Sequence, residues 1–160
     1  MADNLKYGTE IPDNIVQRDN CIPEKYSRHV SPVTRYDFYQ WDELMQYDDT
    51  PALQGLCPPG WHVPTEADWN QLSIVYNGPG FAGSQLLSTG FSGFNAVVNG
   101  SRFQNASWNY TNFAIHLWSS TAWGPLKAWA HAMNIEPDDH SVSTYPASRA
   151  DAFVVRCMMD

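Results

Sequence analysis

Apolar positions recur at helical spacing in two stretches of the first half of the chain. In YDFYQWDELMQY, residues 36–47, Phe38, Trp41, Leu44 and Met45 share one side of a 3.6-residue repeat. They predict a first amphipathic helix whose aromatic stripe belongs to a core. A second helix is predicted from about Thr65 to Tyr76, with Trp69, Leu72 and Val75 turned inward. Its start is marked by Pro64, by Thr65 as N-cap, and by Glu66 and Asp68 in the first turn, where the helix dipole favours acids. Asn77-Gly78-Pro79 stops it. From Phe81 onward the pattern changes to short strands between Gly and Asn turns, ending in the strand-like AFVVRCMM at 152–159. Residues 1–35 are dotted with Pro and Asn around a short apolar patch at Ile15 and Val16, and read as a terminal strand plus irregular loops. The order is α+β: two helices near the N-terminal half, then a strand- and loop-rich C-terminal half.

Length and charge narrow this picture. A chain of 160 residues suits a single domain over 1–160, one that buries about 70% of its unfolded surface. A net charge of −8 with only nine Lys and Arg argues against a nucleic-acid partner, because phosphate binding needs clustered cations. No apolar run approaches the roughly 20 residues of a membrane-crossing helix, so direct membrane insertion is not expected.

The candidate chemistry is that of binding. Residues 84–135 contain no Asp or Glu, and their charges are Arg102 and Lys127 alone. Paired-carboxylate acid–base catalysis is therefore excluded from this window. The same window holds nine aromatics among many Asn and Ser, a composition that joins stiff contact area to adaptable hydrogen bonding. Phe94, Phe103, Trp118 and Trp129 are expected in the core. Trp108, Tyr110, Phe113 and Trp123 stand in Asn-, Gly- or Pro-flanked loop contexts that suit exposure as well as burial. GPGFAG at 78–83 matches a dinucleotide fingerprint only formally: it follows a helix, contains Pro79, and has no acid about 20 residues on. The five histidines lack zinc-site spacing, and His62 is expected to satisfy a backbone group.

One segment carries a resemblance. QGLCPPGWHVPTEADWNQL at 54–72 is similar to the C-P-x-G-W-H-x-P-T-x-x-E-W signature of the Fibrobacter succinogenes major paralogous domain, a bacterial branch of the C-type lectin-like fold. MADNLKYG at 1–8, YQWDELM at 39–45, GFSGFNA at 90–96, WSST at 118–121 and VRCMMD at 155–160 continue the match in order. Asp68 stands where the family usually has Glu, and AFVVRC replaces the more usual GFSVRC. The resemblance implies a C-type lectin-like fold, and leaves two readings of Met1: a residue internal to a longer surface protein, or a chain start. A cysteine ahead of the second helix and another in the last strand, brought together by such a fold, suggest one disulfide, Cys57 to Cys157. Cys21 is expected free or paired outside this stretch.

Many C-type lectins hold sugar through calcium, using E-P-N or Q-P-D followed by W-N-D. Here EPDD at 136–139 comes after WNY at 108–110, and Tyr110 replaces the ligand-bearing Asp, so no cofactor is expected and calcium least excluded. Related sulfatase-modifying enzymes need a reactive cysteine pair; with Cys57 and Cys157 clasped only Cys21 remains, so no enzyme is expected. The resemblance thus implies an extracellular or cell-surface, adhesin- or receptor-like module of a Bacteroidetes-like bacterium that binds a protein or glycan. The alternative is a structural module packed against other domains of a surface or pilus-like assembly. Retroelement-driven variation, known for some proteins of this fold, would fall in residues 105–151. The expected ligand surface comprises Trp108, Asn109, Tyr110, Asn112, Phe113, Trp123, His131, Asn134, Glu136, Asp138, Asp139, His140, Tyr145 and Arg149.

Overall fold

A computed structural model describes residues 3–32, 34–88, 90–134, 139 and 141–160. Its elements are β1 (Thr9–Glu10), β2 (Glu24–His29), β3 (Arg35–Gln40), α1 (Trp41–Leu44), β4 (Trp61–His62), α2 (Glu66–Val75) and α3 (Pro79–Leu86). Then follow β5 (Ser101–Arg102), β6 (Trp108–Asn109), β7 (Ala114–Gly124), β8 (Lys127–Asn134), β9 (Val142–Ser148), β10 (Ala152–Phe153) and β11 (Met158–Met159). The class is α+β, rich in strands, with three helices among the described residues.

The predicted first helix is mostly a strand. Residues 35–40 form β3, which pairs Tyr26 with Phe38 on one side and Tyr39 with Phe153 on the other. Asp37, Phe38, Tyr39 and Gln40 are all buried, so both faces of β3 are covered. A strand buried on both faces loses its alternation, and its apolar residues can then mimic helical spacing. Only Trp41–Leu44 is helical, and the chain leaves it through Gln46 and Tyr47 at positive φ (54° and 62°). Trp41 is locked by an indole N–H donated to the Ser119 carbonyl at 2.8 Å.

The second helix forms as its sequence predicts. Thr65 caps it through a reciprocal box: the Asp68 amide donates to Thr65 Oγ1 at 3.2 Å, and the Thr65 amide donates to the Asp68 carboxylate at 2.8 Å. Asp68 thus does at N3 what the family's Glu would do. Trp69 is buried and Leu72 half-buried, but Val75 faces solvent, contrary to expectation, because the apolar stripe turns away from the core over the last turn. Asn77-Gly78-Pro79 ends this helix and starts another. Gly78 sits at φ 87° and Pro79 opens α3 at its first turn, where its missing N–H costs nothing. That third helix replaces the first of the expected short strands.

Two sheets carry the rest. One has the order β1-β2-β3-β10-β5-β6, the other β7-β8-β9, and β4 pairs with β11 in a small ribbon. Residues alternate between two cores along β7 and β8. Ile115, Leu117 and Met133 pack with Trp69, Leu86 and Phe38, whereas Trp118, Ala128 and Ala130 pack with Tyr39, Trp41 and Phe153. Cys57 and Cys157 are disulfide-bonded, with Cα atoms 5.8 Å apart, and Cys21 is exposed and free. His62 satisfies carboxylates rather than the backbone: its Nδ1 is 2.7 Å from Asp160 and its Nε2 3.5 Å from Asp68.

Candidate functional site

The loop-rich half offers its aromatics in two separate places. The first is the turn between β6 and β7. There the Phe113 and Ala114 amides both donate to the Tyr110 carbonyl, at 3.0 and 3.1 Å, closing a tight turn with Tyr110 at φ 55°. Tyr110 and Phe113 are 51% and 61% exposed, and Asn112 between them is exposed as well. Ala114 pairs with Asn134, which sets Asn134 beside this turn. Asn134 Nδ2 donates to Asp139 at 3.0 Å, and the other Asp139 oxygen accepts the Ser141 amide at 2.9 Å, so this carboxylate ties the start of β9 to the end of β8. Glu136, Asp138 and His140 lie outside the described residues.

Beneath Tyr110 is a buried, uncharged pair. Its ring lies 5.3 Å from the His116 imidazole, whose Nδ1 is 2.5 Å from the Tyr145 hydroxyl. The small Ala130 and Ala132 on β8 let Tyr145 reach across that strand to His116. Burial pushes His116 down to about 4 and pushes the Tyr145 phenol up, with the Asp151 carboxylate adding to the latter. Both are neutral near pH 7. The turn therefore presents aromatic faces and amides over a floor without charge. His116 was not singled out by sequence; its position opposite Ala132, with Tyr145 one strand further, is a pairing no local signal encodes.

The second place is the β7–β8 hairpin tip, where Trp123 is 52% exposed, edge-on to Trp129 at 6.4 Å and with Lys127 Nζ 5.4 Å from its ring centre. Phe113 and Trp123 stand at opposite ends of β7, about 30 Å apart at the rise of an extended strand. One small ligand cannot touch both.

The remaining candidates are engaged inside the fold. Trp108 is half-buried, edge-on to Phe38 at 4.8 Å, with its indole N–H donated to Asp13 at 3.0 Å. Asn109 is half-buried and donates to Ser107 at 2.8 Å. His131 lies on the opposite face of the sheet from Tyr145, because Ala130 and His131 are consecutive residues of β8. It is buried, stacked on Trp69 at 4.9 Å and bonded to Thr144 at 3.1 Å. Its Nε2 is 2.9 Å from Glu66, close but not aligned for a hydrogen bond, and burial pushes its pKa down to about 3. Arg149 is buried too: its guanidinium lies 4.0 Å from the Trp41 ring and grips Asp49 through two bonds of 2.8 Å and Asp42 through one of 3.2 Å. Of the four aromatics expected in the core, Trp118 is fully buried, while Phe94, Phe103 and Trp129 are only half-buried.

The clasped cysteines, the capped α2 and the strand-rich second half coincide with a known family. The family model of the Fibrobacter succinogenes major domain matches residues 1–158, and the chain belongs to that family. No curated protein and no solved structure matches the chain.

Proposed function

We propose that this chain is a non-catalytic, C-type lectin-like domain that recognises a protein or glycan at a bacterial cell surface through the turn between β6 and β7. The observation that carries this reading is the pair Tyr110 and Phe113. Both rings are exposed, both belong to one hydrogen-bonded turn, and both flank the exposed Asn112 above an uncharged floor. Rigid aromatics with an amide between them give stacking area and directional polar contacts at small entropic cost. Neutral polar ligands, saccharides or uncharged peptide loops, suit such a surface best. The turn lies within residues 105–151, where retroelement-driven variation would fall. The disulfide accords with an oxidising compartment.

The test is a screen of the purified domain against glycans and surface proteins, with and without calcium. For a hit, Tyr110→Ala and Phe113→Ala should each weaken binding by about 1–3 kcal/mol, the range of interface anchors. Hits that bind both variants as well as the wild type would remove the turn as the site. The reading as a structural module of a larger assembly draws support from different residues, the exposed apolar side chains Ile74, Val75 and Phe81 of the two longer helices.

A further inference from the structure

A pocket of about 300 Å3 opens beside the β7–β8 tip, at the other end of β7 from the Tyr110 turn. The loop ahead of β2 contributes Val16 and Gln17 to its lining, α1 contributes Asp42, the tip contributes Pro125 and Leu126, and the end of β9 contributes Ser148. The volume is at the small end for ligand pockets, with room for one ring rather than a chain of them. Part of the lining is apolar and open to solvent: Val16 and Leu126 are both more than 60% exposed. Tyr47 adds an aromatic ring. Its hydroxyl donates to Glu43 Oε2 at 2.9 Å, and its backbone sits at φ 62°, a conformation rare for an aromatic residue.

The polar lining is held in place by its own bonds. The Gln40 amide donates to Gln17 Oε1 at 2.7 Å, and the Gln17 amide donates to Gln40 Oε1 at 3.0 Å. Gln40 spends its Nε2 on the Ala150 carbonyl at 2.7 Å. A backbone N–H only donates, so the terminal atom of Gln17 that faces the Gln40 amide is its oxygen, and the other is nitrogen. That nitrogen, Nε2, is buried and meets no acceptor among the described residues. A buried amide donor left unpaired is costly, which makes it a position where a partner gains most. Asp42 supplies the complementary group. One of its oxygens accepts from Arg149 at 3.2 Å, and the other accepts no hydrogen bond among the described residues, with the side chain 45% exposed.

We propose that this pocket binds a single neutral sugar ring. It offers an unspent donor, Gln17 Nε2, and an unspent acceptor, the second Asp42 oxygen. Hydroxyls answer both, because each can accept and donate. An ammonium group cannot accept from Gln17. A phosphate or carboxylate would meet Asp42 and Glu43, while Arg149 is already committed to Asp49 and Asp42. The Tyr47 ring, Val16 and Leu126 suit the C–H faces of a pyranose, whose hydroxyls lie around its edge. Nε2 is out of reach of bulk water, so its bond requires a hydroxyl pressed into the pocket, and hydrogen bonds made away from water are the stronger ones. The mutual bonds of Gln17 and Gln40 set the amide in advance, which lowers the entropic cost of binding. Phe113 and the β7–β8 tip stand at opposite ends of β7, so this site does not depend on the turn between β6 and β7.

The test is a nuclear magnetic resonance titration of the isotope-labelled domain with glucose, galactose, mannose, fucose and N-acetylglucosamine over the millimolar range. At least one sugar should produce saturable shifts at the Gln17 side-chain amide and at the Leu126 and Ala150 backbone amides. Gln17→Glu keeps the acceptor for the Gln40 amide and removes the donor. Leu126→Asp strips apolar contact from an exposed position and should melt with the wild type, so it tests the pocket even where Gln17→Glu fails to fold. Each should weaken binding about tenfold, the scale of one lost polar or apolar contact. The proposal is overturned if no sugar shifts these resonances saturably, if Leu126→Asp binds as the wild type does, or if tetramethylammonium or inorganic phosphate moves them more than any sugar. Sugar-induced shifts confined to the Phe113 and Ala114 amides would also overturn it, while supporting the turn between β6 and β7 as the recognition site.

Discussion

The Tyr145 hydroxyl lies 2.5 Å from His116 Nδ1, spanning a strand whose intervening residues, Ala130 and Ala132, are too small to separate them. This bond sets the uncharged floor under Tyr110. It also links the floor to pH, since burial holds His116 neutral with its pKa pushed down to about 4.

A histidine with a lowered folded-state pKa binds a proton more readily when unfolded. Its contribution to stability is complete above the unfolded value of about 6.5 and is lost as pH falls towards about 4. Buried Glu43 and the partly exposed Asp42 and Glu66 have pKa values raised by desolvation and act in the opposite sense as they protonate. The difference between variants isolates the histidine. Thermal melts of His116→Gln between pH 7 and pH 4 should therefore show a shallower loss of stability with acid than the wild type. Parallel pH profiles would exclude a buried neutral His116.

The Cys57–Cys157 bond closes a loop with a sequence separation of 100. Loss of this cross-link should lower stability by about 3–5 kcal/mol in the chain-entropy view. Cys57→Ala and Cys157→Ala are expected to melt alike and well below the wild type, while Cys21→Ser melts with the wild type. Mass mapping of a non-reduced digest should return the 57–157 linkage alone. A peptide joining Cys21 to either would contradict the structure.

Among the aromatics, position in the fold separates two outcomes. Trp41→Ala and Trp69→Ala empty buried sites and give up indole hydrogen bonds to Ser119 and Trp118. Each should cost about 3–5 kcal/mol of stability. Tyr110→Ala, Phe113→Ala and Trp123→Ala remove rings that are more than half exposed, and each should cost less than about 1 kcal/mol. Denaturant melts of the five variants distinguish the groups. If the last three unfold the protein as readily as the first two, they belong to the core and the turn is not a recognition surface.

Calcium should leave the protein unchanged. The Asp139 carboxylate already accepts from Asn134 and Ser141, so it is not preset to bind a cation. Millimolar calcium should shift the melting temperature by no more than a degree or two, and a chelator should not lower it. A larger rise would reveal a site, because a ligand that binds the folded state stabilises it by mass action.

What could be read from the order of residues was local. The cap of α2 lies in Thr65 and Asp68, three positions apart, and its hydrogen bonds close within that span. The flanking Asn, Gly and Pro leave Trp108, Tyr110, Phe113 and Trp123 open between exposure and burial, and the fold exposes the last three while half-burying Trp108. Long-range pairing was decided by tertiary structure. Residues 36–40 carry helical spacing yet form a strand, because Tyr39 pairs with Phe153 and Phe38 with Tyr26. Periodicity reports which residues are buried, and it cannot say against what. Pro79 was legible as the end of one helix, while its role as the start of the next depended on α3 packing Ala82 and Leu86 into the core. His131 and Arg149 look like surface chemistry in sequence. Trp69 and Glu66 cover the first, and Asp42, Asp49 and Trp41 hold the second from about 100 positions away. A single expected surface thus became two exposed sites and a set of buried braces, because Phe113 and Trp123 stand at opposite ends of the eleven-residue β7, which keeps them apart.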